Sequence, residues 1–165
     1  MPKVAIVMGS DSDLPVLKGG ISRLKEFGVE VTVRAISAHR TPDVAAHFAQ
    51  RAEQAGIEVI IAAAGMAAHL AGAMAANTPL PVIGIPVKSG ALSGLDALYA
   101  TVMMPPGVPV ATVGIDAGDN AALLAIQMLS IKYPELREKM RQYKAQMAEK
   151  VAQKDARLAE QIQSL

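Results

Sequence analysis

The sequence predicts an α/β protein: a three-layer α/β/α sandwich around a five-stranded parallel sheet, followed by a long C-terminal helix. Three observations predict it. Short apolar runs alternate with helix-length amphipathic stretches through the first 131 residues, and continuous apolar runs suit strands buried on both faces of a parallel sheet. Glycine or proline marks most junctions between them. The last 34 residues then change character, holding 13 of the 31 acidic and basic groups.

The elements follow in order. Val4-Ala5-Ile6-Val7-Met8, bounded by Gly9, reads as the first strand. Asp13 reads as the N-cap of a first helix with Pro15 in its opening turn; Leu14, Leu17, Ile21, Leu24 and Phe27 recur at helical spacing, and Gly28 stops it. Val29 to Ile36 is β-branched and alternating, a second strand. Thr41-Pro42 caps a helix expected to run to Ala55 before Gly56. Ile57 to Ala63 is the third strand, and Ala68 to Ala76 an alanine-rich helix. Pro81 to Pro86 and Val108 to Val113 read as the fourth and fifth strands, with a helix from Leu95 to Met103 between them. Asn120 to Ile131 is a further helix. Five strands suit an open, flavodoxin-like sheet and are too few for an eight-stranded barrel.

From Pro134, a helix over Glu135 to Gln161 carries a thin apolar stripe: Leu136, Met140, Tyr143, Met147, Val151, Leu158 and Ile162. Such a stripe on a charged helix reads either as a solvated extension or as an arm that grips another subunit. Residues 1–131 form one α/β domain, and 132–165 a helical extension of that same domain.

Composition narrows the function. The chain has 165 residues, is 52% apolar and has a formal net charge of +1, so no strong field favours nucleic acid or an anionic membrane. Three tyrosines, two phenylalanines and no tryptophan give little to stack bases on. Absent cysteine excludes disulfides, zinc fingers and thiol catalysis. Thirty alanines and thirteen glycines let helices and sheet approach closely. The N-terminal apolar run is too short for a secretory signal and no run is long enough to span a bilayer, so the expected setting is the cytoplasm.

In this architecture ligands bind beyond the carboxyl ends of the strands, where the strand order switches direction. Three loops stand there. Gly9-Ser10-Asp11-Ser12-Asp13 offers hydroxyls and a close backbone suited to phosphate or ribose, or else is only a turn with its cap. Neither a dinucleotide fingerprint nor a P-loop is present. Ser37-Ala38-His39-Arg40-Thr41-Pro42 brings an imidazole, a group suited to taking and releasing a proton, beside a guanidinium fork for phosphate or carboxylate. Gly65-Met66-Ala67-Ala68-His69-Leu70 sets His69 among small residues at a helix start. Metal binding through His39 and an Asp lacks the close ligand spacing such sites show. His47 reads as an ordinary helix residue. Lys88, Ser89, Ser93 and the stretch Asp116 to Asn120 read mainly as turns at the crevice rim. The residues alone point to a small phosphorylated metabolite as ligand.

Taken together, these three loops resemble the 5-(carboxyamino)imidazole ribonucleotide mutase family, the class I phosphoribosylaminoimidazole carboxylase catalytic subunits of purine biosynthesis. Gly72, Pro86-Val87-Lys88, Leu92-Ser93-Gly94-Leu95-Asp96, Leu98-Tyr99, Met104-Pro105 and Asn120-Ala121-Ala122-Leu123-Leu124-Ala125 extend the match in order along nearly the whole chain. The resemblance implies a homo-octamer whose C-terminal helix reaches over neighbours. It implies an isomerase that moves a carboxylate from the exocyclic nitrogen of the imidazole ribonucleotide to a ring carbon without ATP, biotin, metal or other cofactor. It assigns the general acid and base to His39, and ribose and phosphate contacts to Ser10, Asp13, Ser37 and Arg40. The segment Ala67, Ala68, His69 and Leu70 is to line the pocket for the carboxylate and carbon dioxide. Arg40 favours the mutase, because the direct-carboxylase subclass typically has lysine there. Two positions depart from the pattern: the family usually has glycine at Met66 and proline at Ala71. They motivate a second reading, a ribonucleotide-binding relative with weak catalysis.

Overall fold

The computed structural model describes all residues, Met1–Leu165. Strand β1 (Lys3–Met8) leads through a 3-10 turn at Asp11–Asp13 into helix α1 (Leu14–Glu26). Then follow β2 (Glu30–Ala35), α2 (Pro42–Arg51), β3 (Val59–Gly65), α3 (Leu70–Ala76) and β4 (Val82–Val87). The chain continues through α4 (Leu95–Val102), β5 (Ala111–Thr112), α5 (Gly118–Leu129) and α6 (Pro134–Gln163). All five strands are parallel in the order β2-β1-β3-β4-β5. The chain therefore leaves β1 toward one edge for β2 and returns on its other side for β3. The switch point lies at the carboxyl ends of β1 and β3.

The pleat sorts each central strand into two cores. Val4, Ile6 and Met8 of β1, with Val59, Ile61 and Ala63 of β3, pack against Leu17 and Leu24 of α1, Ala121, Ala125 and Ile126 of α5, and Leu136 and Met140 of α6. Their neighbours Ala5, Val7, Ile60 and Ala62 face the opposite way, onto Ala45 and Ala49 of α2 and Leu70, Ala71 and Met74 of α3. With few aromatic side chains, closeness takes the place of bulk. A Cβ on Gly20 would stand 2.5 Å from the carbonyl oxygen of Gly118, and one on Gly118 would collide with the carbonyl oxygen of Val16. These two glycines let α1 and α5 meet backbone to backbone.

Several boundaries differ from the sequence expectation for identifiable reasons. Helix α2 stops at Arg51 rather than Ala55, because residues 52–56 tighten into turns in which Ala55 donates to the carbonyls of Arg51 and Ala52. Strand β5 spans two residues instead of six; Pro109 has no N–H to give to a ladder, pairing begins at Ala111, and Val113 adds one hydrogen bond to the Gly84 carbonyl (3.1 Å). Asp13 does precede α1, yet its carboxylate makes no cap bond to that helix. The capping group is Ser10, one turn earlier.

Helix α6 is anchored only at its start. Arg137 donates to the carbonyl of Ser130 (2.9 Å) and Lys139 to that of Phe27 (2.9 Å), so two cations cap the carboxyl ends of α5 and α1. The Arg23 guanidinium lies 4.7 Å from the Tyr143 ring centroid. After Met140 no α6 residue is buried, and Val151, Leu158 and Ile162 are exposed. No helix is long and apolar enough to cross a membrane.

Beside the start of α6, at the amino-terminal end of β3, Glu58 accepts from Lys132 Nζ and from the Tyr133 hydroxyl, both at 2.8 Å. Burial pushes the Glu58 carboxyl up, but these two hydrogen bonds and the lysine charge outweigh it and hold it below its usual value of 4.5. A carboxyl depressed by folding stabilises above its unfolded pKa, and that contribution disappears as pH falls through the folded one. Glu58→Gln is expected to lower stability at pH 7 by ~0.5–1 kcal/mol, since the lysine is solvent-screened. The difference in thermal midpoint between the two proteins should close as pH falls below 4.5; a gap that persists in acid would show that the charge is not its source.

Candidate active site

The loops that follow β1, β2, β3 and β4 enclose a cavity of about 460 Å³ at the switch point, within the range of small-ligand sites. Each loop is held by its own sequence. After β1, the Ser10 hydroxyl accepts from the Ser12 N–H (3.3 Å), and the Asp13 carboxylate accepts from the Ser10 N–H (3.3 Å). This reciprocal box fixes Ser10, Ser12 and Asp13 on the cavity wall. Burial raises the Asp13 pKa, the Ser10 N–H works against that, and the charges of Asp116 and Asp11 push it further up.

After β2, the chain closes a loop on itself. The Thr41 hydroxyl donates to the Ser37 carbonyl (2.8 Å) and accepts from the Ser37 N–H (3.1 Å), while the Arg40 N–H donates to the Ser37 hydroxyl oxygen (3.1 Å). Thr41 is therefore a clasp for this loop rather than a side-chain cap for α2. The clasp presents His39 and Arg40 outward. Arg40 is exposed and pairs with no carboxylate, so its planar fork of donors is free for an anion.

The loop after β3 completes the wall. His69 Nδ1 lies 2.8 Å from His39 Nε2, with ring centroids 4.9 Å apart and planes at 78°. In such a contact one ring donates its N–H and the other accepts, so the pair holds each imidazole in a set orientation. Met66 adopts a left-handed backbone, φ 53°, and is 62% exposed. That is the conformation glycine takes without cost, and it explains structurally why glycine suits this position.

The cavity gathers Ser10, Asp13, Ser37, His39, Arg40, Ala67, His69 and Leu70, residues expected from the sequence. Ala68 is not among its lining residues; it is 1% exposed and packs beneath the loop. His47 is exposed on α2 and does not line the cavity. Of the turn residues after β4 and β5, Ser89 lines the cavity and Lys88, Ser93 and Asp116 do not. Ser12 and Ser89 also line the cavity, though the sequence assigned neither an individual substrate contact. Ser12 lay within a motif already singled out; Ser89 carried no local signal beyond a Ser-Gly turn. No group of three or more His, Asp or Glu residues is arranged to hold a metal ion.

Comparison with known proteins gives this geometry its relatives. A family model described as AIR carboxylase matches residues 3–150. The chain is 60% identical over 147 residues to the N5-carboxyaminoimidazole ribonucleotide mutase of Pyrococcus abyssi, covering 89% of this chain and 84% of that protein. It is 55% identical over 162 residues to the protein of the same name from Thermotoga maritima, covering 98% and 94%. Among solved structures, that of Treponema denticola PurE superposes with a TM-score of 0.85 at 30% identity, covering 96% of this chain and 99% of that one. Matched along nearly its whole length in sequence and in fold, the chain belongs to the AIR carboxylase family.

Proposed function

We propose that this protein is an N5-carboxyaminoimidazole ribonucleotide mutase, an isomerase of purine biosynthesis that converts 5-(carboxyamino)imidazole ribonucleotide to 4-carboxy-5-aminoimidazole ribonucleotide. The observation that carries the reading is one cavity in which an unpaired guanidinium, Arg40, adjoins the hydrogen-bonded pair His39 and His69. Mutases of that name at 55–60% identity support it.

The phosphate sits on Arg40, with Ser37 still able to donate its hydroxyl proton, and the ribose sits beside Ser10 and Asp13. Ala67, His69 and Leu70 surround the reacting end. His39 gives a proton to the exocyclic nitrogen, the N–C bond to the carboxylate breaks, and carbon dioxide is released into the cavity. The nucleophilic ring carbon attacks it and the new C–C bond forms. His39 then takes the proton from that carbon, so the histidine ends as it began and the reaction is an isomerisation. No cofactor enters this scheme. The small residues around Ala67 let the backbone approach the gas closely.

The same reading sets the enzyme in the cytoplasm as a homo-octamer. The apolar stripe of α6 beyond Met140, exposed in the single chain, supports its role as an intersubunit arm. Burial of Leu136 and Met140 with the α1–α5 core supports treating residues 132–165 as part of the domain formed by 1–131.

Isotope retention tests the assignment. Substrate labelled in its carboxylate should yield product that keeps most of the label in excess unlabelled bicarbonate. The uncarboxylated ribonucleotide with bicarbonate should react poorly. Rapid carboxylation from free carbon dioxide, with the label released to solvent, would identify a direct carboxylase instead.

A further inference from the structure

The molecule has two buried side-chain polar atoms without a hydrogen-bond partner, Ser89 Oγ and Asp96 Oδ1. Of the two residues, only Ser89 borders the cavity. An unpartnered buried hydroxyl is unfavourable, and native proteins keep few of them. We propose that Ser89 is a further specificity-determining residue whose hydroxyl hydrogen-bonds the migrating carboxylate of the substrate. The inference rests on the mutase reading above.

Strand order decides which end of the ligand Ser89 meets. Arg40 follows β2, on one side of β1, whereas Ser89 follows β4, beyond β3 on the other side. A ribonucleotide with its phosphate on Arg40 therefore directs its base, and the carboxylate on it, toward the β3–β4 side. On that side the polar side chains lining the cavity are His69 and Ser89. His69 is already engaged with His39. That contact uses His69 Nδ1 and leaves Nε2, so of these two side chains only Ser89 is without any protein hydrogen-bond partner.

Two neighbours keep a place for it. Gly65 needs no left-handed backbone, yet a Cβ there would lie 2.5 Å from Ser89 Oγ; the missing side chain makes room for the hydroxyl. Asp116 accepts from the Lys88 N–H at 2.8 Å and fixes the backbone just before Ser89. The hydroxyl itself is held by nothing, so turning about Cα–Cβ to another staggered position in the cavity wall breaks no hydrogen bond. The backbone N–H groups of Met66 and Ala67, on the same side, donate to no protein acceptor. They add donors for an anion there.

The test compares two nucleotides by calorimetry on the full-length protein: 4-carboxy-5-aminoimidazole ribonucleotide and its uncarboxylated counterpart. Ser89→Ala should weaken the carboxylated nucleotide about tenfold, the loss of one hydrogen bond to a charged group. It should leave the uncarboxylated one within about twofold. Ser89→Cys, with a weak donor of similar size, should fall between alanine and wild type. Thermal midpoints at or above wild type in Ser89→Ala would confirm intact packing, since removing an unpartnered hydroxyl costs little. An equal loss for both nucleotides, or no loss for either, overturns the assignment of Ser89 while leaving the mutase reading in place. Wild-type protein that binds neither nucleotide would instead overturn the mutase reading, and this proposal with it.

Discussion

Replacing His39 with asparagine should lower turnover by about 100-fold or more, the range that general acid–base catalysis supplies, with little change in nucleotide affinity. Asparagine keeps a polar side chain at the mouth of the cavity but cannot give up and regain a proton. The loop should survive the change. It is closed by Ser37, Thr41 and the Arg40 N–H, none of which involves the imidazole. The substitution breaks only the hydrogen bond between the imidazole and His69, and His69 is exposed at the cavity and not part of either core. Steady-state kinetics together with calorimetric binding of the product nucleotide separates the two effects. Near wild-type turnover in His39→Asn would remove this residue from the chemistry. A parallel collapse of affinity would make it a binding residue instead.

Arg40→Ala should show the reverse pattern. A guanidinium on a phosphate forms charge-assisted, often bidentate hydrogen bonds, each worth about 1.5–3 kcal/mol. Losing the group should weaken nucleotide binding about 100-fold, read as a raised KM with a smaller change in kcat. Because Arg40 is exposed and carries no ion pair, its removal leaves no carboxylate stranded, and thermal stability should stay within about 0.5 kcal/mol of wild type. Arg40→Lys should recover part of the affinity, since a lysine restores the charge but not the fork. If Arg40→Ala binds as tightly as wild type, the phosphate lies elsewhere in the cavity and the orientation argued for Ser89 must be revised.

The sequence made the α/β layering and the three principal loops readable, because both depend on local patterns. Val4 to Met8 and Val59 to Ala63 are apolar without a break because both their faces are covered. The Ser-Ala-His-Arg-Thr-Pro segment carries its own clasp in Ser37 and Thr41. What local pattern does not carry depends on contacts between distant segments. The pairing of His39 with His69 joins residues 30 positions apart, and nothing around either one signals the other. Ser89 gains meaning only once β4 is placed beside β3 and its hydroxyl is seen against Gly65. Thr41, which reads as a helix cap from its place before Pro42, spends its hydroxyl on the loop instead; the two uses have the same local sequence.

The backbone of Met66 limits which residues can occupy that position in any lineage that keeps the loop. With φ at 53°, proline is excluded outright, because its ring holds φ near −65°. Valine, isoleucine and threonine are opposed by their branched Cβ, however well they would fill the space beside Ala67. Glycine, asparagine and aspartate tolerate the conformation best, with unbranched side chains such as methionine next. The side chain is 62% exposed and lines the cavity, so its size is limited by what the cavity must hold rather than by packing in a core. Variation at this site should therefore be sorted first by backbone shape and then by the room left for a ligand, the opposite of an ordinary core position, where packing restricts volume and the backbone accepts almost any residue.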